Sequence, residues 1–296
     1  MSGSSKTGVK GNVERLQDYK PFIRDGMGDI FIPGTSLKGV FRTAVLYNML
    51  KSSKDNNLAE FKEVVEKRIS TDIDKKIPKK KFFQWGMEKW LESFVLEDKK
   101  SAGDKIKTRC PNTDWFRMFH VADAYPVELV ETILIPVNIL KKETSGWKYK
   151  TESAGPPTII WIECIPAGAI FEFNISWDKK LFDEFKKWGN KINSLPKNLD
   201  EILSSVSRWA GDVHGFEKDF SEKHELQKWY QNNTPNFRIG FGSGMTSTTI
   251  AILLDEELRK KVRNYAGLNK GDATAPKSRR VWLQDNAVIP LGWATI

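Results

Sequence analysis

Two stretches of alternating apolar and polar residues, rich in β-branched side chains, constrain the fold of this chain more than any other feature. They cover residues 117–140 and 158–177. A period of two residues is typical of β-strands with one buried face. Pro126 and Pro136 interrupt the first stretch, and a hairpin-like turn is predicted around Pro166 and Gly168 in the second. The middle of the chain is therefore predicted to form a sheet.

Helical patterns flank these strands. A short strand is predicted at residues 29–32, ending at Pro33, and a helix follows it with Thr35 or Ser36 as the candidate N-cap. Further helices are predicted over residues 58–69, 81–96, 179–192, 199–209 and 255–265. Strands and helices do not alternate in a βαβ rhythm, so the pattern favours an α+β fold.

The composition is basic. Lys and Arg number 47 against 38 Asp and Glu, which gives a formal charge of +9. This balance favours a polyanionic partner, because each neutralised phosphate releases counterions; a merely soluble basic protein is the alternative. Cys110 and Cys164 are too far apart for a zinc ribbon, and their small number suits a reducing cytoplasm. No secretory signal and no run of about eighteen apolar residues is present, so no membrane contact is expected.

The first of three glycine-centred segments is IPGTSLKGVFR, residues 32–42. It combines a strand, a turn and a helix N-terminus, where free backbone N–H groups can hold a phosphate. Lys38 and Arg42 are four residues apart and share one helix face, while Leu37 and Phe41 can dock on a sheet. An ordinary amphipathic helix with two solvated cations is the alternative.

The second segment is RIGFGSGMTSTT, residues 238–249. Gly240, Gly242 and Gly244 alternate, which predicts a strand that breaks into a loop where the backbone can approach a ligand. The hydroxyl side chains are predicted to donate to phosphate or ribose: Ser243, Thr246, Ser247, Thr248 and Thr249. The segment matches neither the P-loop nor the Rossmann pattern.

The third segment is PKSRRVWL, residues 276–283, followed by PLGW at residues 290–293. Lys277, Arg279 and Arg280 cluster beside a strand-like run. A basic patch of this kind is either a phosphate contact or a solvent-facing group of cations.

Together these segments resemble the RAMP proteins of type III CRISPR effector complexes. IPGTSLKGVFRTAVL is similar to the family's IPGSSLKGxxR signature, and RIGFGSGMTSTT is similar to its glycine-rich loop. FRMFHVADAYP resembles a mid-chain V-x-D-A/S strand. The ending PKSRR…PLGW resembles the C-terminal segment of the fifth subunit of type III-A Csm complexes. The matches span residues 20–293.

The resemblance implies a ferredoxin-like (RRM-like) RAMP fold with helical insertions, as two packed units over residues 1–150 and 151–296. It implies a subunit that binds guide CRISPR RNA, caps its 3′ end, and supports its maturation and the assembly of the complex. The implied partners are the guide RNA, other RAMP subunits and host ribonucleases. A subunit of a type III-B or III-D complex is the alternative within the family. No cofactor and no metal is implied.

Carried over residue by residue, the resemblance implies RNA contacts in all three segments. The candidates are Gly34, Thr35, Ser36, Lys38, Gly39, Arg42, Gly240, Gly242, Ser243, Gly244 and Met245, with Lys277, Arg279 and Arg280 as weaker ones.

No catalytic motif is present, so a non-catalytic protein is expected. The alternative is a RAMP endonuclease that uses Asp25 or Asp29 with Mg²⁺, or His120 without a metal. The sequence favours turn-forming roles for the two aspartates. His120 lies in an alternating strand pattern and is predicted to be a core histidine.

Overall fold

The computed structural model describes residues 19–77, 114–151, 155–188, 195–268, 273–285 and 287–296, the side chains of residues 185–188 excepted. The predicted helix at residues 81–96 and Cys110 lie outside these ranges, as do residues 189–192 of another predicted helix. Within the described ranges, no helix combines the length and apolar composition that a bilayer-spanning helix needs.

Helices and strands interleave along the chain. The helices are α1 (Gly34–Asn56), α2 (Leu58–Phe61), α3 (Lys67–Asp74), α4 (Lys179–Trp188), α5 (Leu199–Phe220), α6 (Leu226–Asn232) and α7 (Glu256–Tyr265). The strands are β1 (Tyr19–Lys20), β2 (Phe119–Val121), β3 (Tyr125–Pro126), β4 (Ile133–Glu143), β5 (Gly146–Tyr149), β6 (Ile159–Cys164), β7 (Phe171–Glu172), β8 (Ile175–Trp177), β9 (Phe237–Arg238), β10 (Ser278–Gln284), β11 (Ala287–Pro290) and β12 (Trp293–Ala294).

A six-stranded sheet forms the centre, in the order β1-β6-β4-β10-β11, with β5 also paired to β4. β1 is parallel to β6 and the other pairings are antiparallel. The remaining strands form three two-stranded sheets, in which β2 pairs with β8, β3 with β7, and β9 with β12. The sheet joins strands from both sides of residue 150, and the division into two ferredoxin-like units stays a prediction.

The long strand β4 is buried on both faces. Val137 packs in a cluster with Ile160 and Ile162 of β6, whereas Leu140 packs with Val281 of β10. Because successive side chains point to opposite faces of a strand, these two clusters lie on opposite sides of the sheet. The position of β4 is therefore fixed by burial as well as by its hydrogen bonds.

α1 packs along α5, as its apolar spacing requires. Leu37 and Phe41 are buried, and Phe41 meets the ring of Phe119 on β2 edge-on at a centroid distance of 5.3 Å. Further along, the Tyr47 hydroxyl donates to Asp212 of α5 at 3.0 Å. Burial and the Asp212 charge raise the pKa of this phenol. These contacts anchor α1 on both the β2–β8 pairing and α5.

The N-terminus of α1 is not capped by the residues that the sequence predicts. The helix begins at Gly34, and neither Thr35 nor Ser36 caps it. Asp123, in the loop after β2, accepts instead from the Gly34 N–H at 2.6 Å. The sequence neighbours of the helix could not reveal a capping group that lies 89 positions away.

Other corrections concern element boundaries. The predicted strand at residues 29–32 is reduced to isolated bridges at Ile30 and Ile32. The predicted helix at residues 58–69 extends to Asp74 with a π-helical turn inside it, and α5 runs eleven residues past its predicted end at Trp209, to Phe220. The strands around Pro166 form no hairpin, since β6 pairs with β4 and β7 pairs with β3. Tertiary pairing therefore outweighs the local turn signal.

Gly34 is a position where the fold needs glycine. A Cβ atom there would lie 2.4 Å from the Val121 carbonyl oxygen. We expect Gly34→Ala to lower the free energy of unfolding by about 1–3 kcal/mol, because the rigid backbone of β2 must shift.

Gly39→Ala is the matched control in the same helix, since no atom lies within 4 Å of the Cβ position at Gly39. This variant should be as stable as the wild type or up to about 1 kcal/mol more stable. Urea denaturation measures both. Equal midpoints for Gly34→Ala and the wild type would contradict the close approach of α1 to β2.

Candidate nucleic-acid interface

The structure brings the second and third glycine-centred segments together around one small cleft. It has a volume of about 110 Å³ and is lined by residues 242–246, residues 278–280, Ile139 and Pro276. Ile139 belongs to β4 and pairs with Arg280 of β10. The central sheet thus forms the floor on which the glycine-rich loop, residues 240–245, rests.

The glycine-rich loop has the backbone that its sequence predicts. Gly240, Gly242 and Gly244 have φ angles of +87°, +94° and +66°, a region that side-chain-bearing residues rarely adopt. A Cβ atom at Gly242 would also lie 3.0 Å from the Leu291 side chain. The loop follows directly on β9, so the predicted break of a strand into a loop is confirmed.

The loop turns its carbonyl groups inward. The Gly240 oxygen accepts from the Ser243 amide and hydroxyl, and the Gly242 oxygen accepts from Arg238 at 3.2 Å. Within the described part of the chain, the N–H groups of Gly242 and Gly244 have no acceptor. A loop with inward carbonyls and uncommitted amides presents hydrogen-bond donors of the kind that hold phosphate oxygens.

The predicted role of the loop hydroxyls needs correction, since all five make hydrogen bonds inside the protein. Ser243 donates to Gly240, Thr246 to Glu217, Thr248 to Gly244 and Thr249 to Met245, while Ser247 accepts from Arg238. Ser243 is only 3% exposed. These hydroxyls hold the loop in shape.

A buried carboxylate fixes the loop from beneath. Glu217 of α5 is fully buried and forms an ion pair with Arg279 of β10. Its other oxygen accepts from Thr246 at 2.7 Å and lies 3.8 Å from Arg238. Burial alone would raise the pKa of Glu217, but the two guanidinium charges outweigh burial and hold it below its ordinary value.

Glu217 and Arg238 were not among the residues predicted for the site, although the sequence carries a signal for Glu217. Val206, Ala210 and Val213 form the buried stripe of α5, and Glu217 continues it at helical spacing. An acid on an apolar stripe indicates a buried partner. No comparable signal marks Arg238.

The three cations of the third segment differ in their burial and in their partners. Arg279 is 7% exposed, pairs with Glu217 and lies over the ring of Phe220, so it does not belong to the proposed RNA surface. Arg280 is exposed and lies over the ring of Phe241 at 4.6 Å. Lys277 is half-buried and pairs with Glu143 at 3.6 Å.

The first segment is not joined to this cleft. Across the described ranges, no hydrogen bond or ion pair connects residues 35–39 to the glycine-rich loop. Thr35, Ser36 and Gly39 are exposed, whereas Gly34 is buried against β2. The structure thus unites two of the three predicted segments.

The two cations of the first segment, Lys38 and Arg42, also lie in different environments. Arg42 makes two hydrogen bonds of 2.7 Å with the Asp114 carboxylate and lies over the ring of Phe116. Lys38 has no ion pair among the described residues, and partial burial lowers its pKa, with Asp114 opposing this and Arg42 adding to it. Lys38 is therefore the better placed of the two for a phosphate.

The alternative catalytic residues do not form a cluster. Asp25 accepts from the amides of Met27 and Asp29, in a turn that has Gly28 at a φ of +95°. His120 is exposed, so the prediction of a core histidine is wrong: its side chain lies on the outer face of β2. In the described residues, no group of three or more His, Cys, Asp or Glu could hold a metal ion.

The sequence model of the RAMP superfamily matches residues 5–216. This chain belongs to the RAMP superfamily. The resemblance that the glycine-centred segments predicted is thereby confirmed.

This RAMP protein is similar to Csm5 proteins. A relative from Methanocaldococcus jannaschii, named CRISPR system Cms protein Csm5, is 24% identical over 311 residues, covering 93% of this chain and 64% of the relative. The chain thus spans slightly less than two-thirds of that relative's length.

Two solved structures share the fold of this RAMP protein. A chain of a Csm-crRNA-target RNA ternary complex from a type III-A CRISPR-Cas system matches with a TM-score of 0.54 and 21% identity, over 92% of this chain and 74% of that chain. The crystal structure of T. onnurineus Csm5 matches with a TM-score of 0.50 and 23% identity, over 81% and 68%. The predicted α+β class is confirmed.

Replacing Glu217 tests the support beneath the loop. We expect Glu217→Gln to lower the free energy of unfolding by about 3–5 kcal/mol, because two buried guanidinium groups lose their anion. Since the pKa of Glu217 is depressed, its contribution is present at neutral pH and is lost as the pH falls below the ordinary glutamate pKa. The variant should therefore show a flatter loss of stability on acidification.

Chemical denaturation between neutral and acidic pH measures this effect. Glu222→Gln is the control, because Glu222 is exposed just beyond α5, and it should change stability by no more than about 0.5 kcal/mol. Equal stability of the two variants at neutral pH would contradict the role assigned to Glu217.

Proposed function

We propose that this RAMP protein is a non-catalytic subunit of a type III-A CRISPR effector complex that binds the guide RNA and caps its 3′ end. The cleft between the glycine-rich loop and β10 carries the RNA-binding part of the proposal. The amides of Gly242 and Gly244, which have no acceptor among the described residues, meet the exposed Arg280 there. These groups are all donors or cations, which is what a polyanionic backbone requires.

The size of the cleft supports a backbone contact over a small-molecule substrate. Its 110 Å³ is well below the roughly 300–1,000 Å³ of ordinary ligand pockets. Phe241 packs against the apolar cluster around Val137 and carries the Arg280 guanidinium on its ring, which holds this cation beside the cleft. A phosphate in the cleft next to Arg280 would follow.

The position at the 3′ end rests on the likeness to Csm5 and on the C-terminal PKSRR…PLGW segment. A relative of this fold is part of a complex with crRNA and target RNA. Support for guide maturation and contact with host ribonucleases stay predictions from the family resemblance.

Removal of Lys38 or Arg280, which have no ion pair among the described residues, should weaken RNA binding. We expect Lys38→Ala and Arg280→Ala each to raise the Kd for a labelled guide RNA about fivefold, or about 1 kcal/mol. Each should lower the slope of log affinity against log salt by about 0.7, the value for one phosphate of a single strand. Fluorescence anisotropy across a salt series measures both quantities.

Lys67→Ala is the control, because Lys67 is an exposed lysine paired with Glu63 on a helix. It should leave affinity and slope unchanged. A guide lacking its 3′ segment should bind more weakly than one lacking its 5′ segment. Unchanged slopes in Lys38→Ala and Arg280→Ala would contradict the proposed contacts.

The absence of catalysis is part of the proposal and has its own test. Asp25 is engaged in its turn, and within the described ranges no group of three or more His, Cys, Asp or Glu could hold a metal ion. Purified protein incubated with guide precursor or target RNA, with Mg²⁺ or with EDTA, should leave both RNAs intact. Cleavage that disappears in Asp25→Ala, Asp29→Ala or His120→Ala would overturn this part and establish the endonuclease alternative.

A further inference from the structure

The positive charge of the chain is absent from two of its segments. Although 47 of the 296 residues are Lys or Arg, none lies in residues 118–140 or in residues 151–178. Both segments carry acids, including Glu128, Glu131 and Glu172. A stretch without cations offers no positive side chain to a polyanion, which favours a partner other than RNA for this region.

The fold brings the two cation-free segments together. β4 pairs with β6, and β3 pairs with β7. The connections between these pairings, residues 127–132 and 165–170, run side by side and enclose a groove of about 480 Å³. The groove therefore lies where the central sheet meets the small β3–β7 pairing.

The groove exposes large apolar side chains. Leu129 is 96% exposed, Ile170 69% and Val127 57%. Glu128 and Glu131 are exposed on the same connection and line the groove beside them. Apolar side chains that gather in one groove with an acidic rim are typical of a protein interaction site.

We propose that this acidic, apolar groove, formed by residues 127–131 and 166–170, docks a neighbouring protein subunit through an apolar segment flanked by Lys or Arg. The charge of the groove selects this occupant. Phosphates of RNA would be repelled by Glu128 and Glu131, and a two-fold contact with a second copy would place these acids opposite one another. The inference rests on the proposed membership of an effector complex.

The test uses the double variant Leu129→Asp/Ile170→Asp, co-expressed with the other protein subunits of its effector complex and guide RNA. Native mass spectrometry of the purified complexes measures how much of this chain is retained. We expect at least about a tenfold loss of retention, since both apolar anchors are removed and like charges are added. RNA affinity of the isolated variant should stay within about twofold of the wild type, because no cation is lost.

Val64→Asp is the matched control, an exposed valine at 58% exposure on the helical run between α2 and α3. It should be retained like the wild type. Glu128→Lys/Glu131→Lys should also reduce retention by repelling the partner's cations, and this reduction should shrink at high salt. Thermal melts at the wild-type midpoint would show that both double variants fold.

Several outcomes separate the inference from the proposed function. Wild-type retention of both double variants would overturn the groove as a docking site, and so would a reduced RNA affinity in the isolated chain. A concentration-dependent dimer of the isolated wild type that either double variant abolishes would assign the groove to a second copy and overturn the proposed partner. If the wild type failed to bind guide RNA while the double variants lost retention, the RNA function would be contradicted and the groove supported.

Discussion

The buried ion pair between Glu217 and Arg279 holds together segments that are far apart in the sequence. Glu217 belongs to α5, Arg279 to β10 and Arg238 to β9, and Thr246 directly follows the glycine-rich loop. The last three meet at the Glu217 carboxylate. Burial of a charge is costly, so such a group persists only with close partners of opposite charge. This charge cluster inside the protein therefore fixes the loop backbone. The loop carbonyls and hydroxyls bond to groups inside the protein, which leaves the Gly242 and Gly244 amides without an acceptor in the described residues.

The distribution of charge divides the surface between two kinds of partner. Lys38 and Arg280 lie on segments that resemble the RNA-binding elements of RAMP proteins, and neither has an ion pair within the described ranges. The groove near Leu129 carries acids and apolar side chains on segments without a single cation. A net charge of +9 thus describes an uneven surface, in which one region suits phosphates and another suits a protein.

Local backbone chemistry was predictable where one residue type decides the conformation. The alternation of Gly240, Gly242 and Gly244 predicts left-handed backbone, and all three adopt it. The apolar spacing of α1 predicts its buried face. By contrast, the helix predicted to end at Trp209 continues through Gly211 and Gly215, because the buried stripe of α5 runs on to Phe220. The cost of about 1 kcal/mol for a helical glycine is smaller than the gain from that burial.

Side-chain partners were not predictable, because residue type gives a donor or charge but not its direction. Arg42 and Arg279 were both predicted RNA contacts, Arg279 as the weaker candidate, and both turn to carboxylates, 72 and 62 positions away. The loop hydroxyls likewise turn inward to partners that include Glu217. Only the folded arrangement separates the cations that build the site from those that remain for RNA.

Ultraviolet cross-linking of the assembled complex with its guide RNA, followed by mass spectrometry of this chain, tests the central claim most directly. Cross-linked nucleotides are expected on the peptide that carries Phe241 and Met245 and on the peptide after Arg280, and they should come from the 3′ segment of the guide. Cross-links confined to residues 118–140 and 151–178, with the glycine-rich loop unmodified, would contradict it.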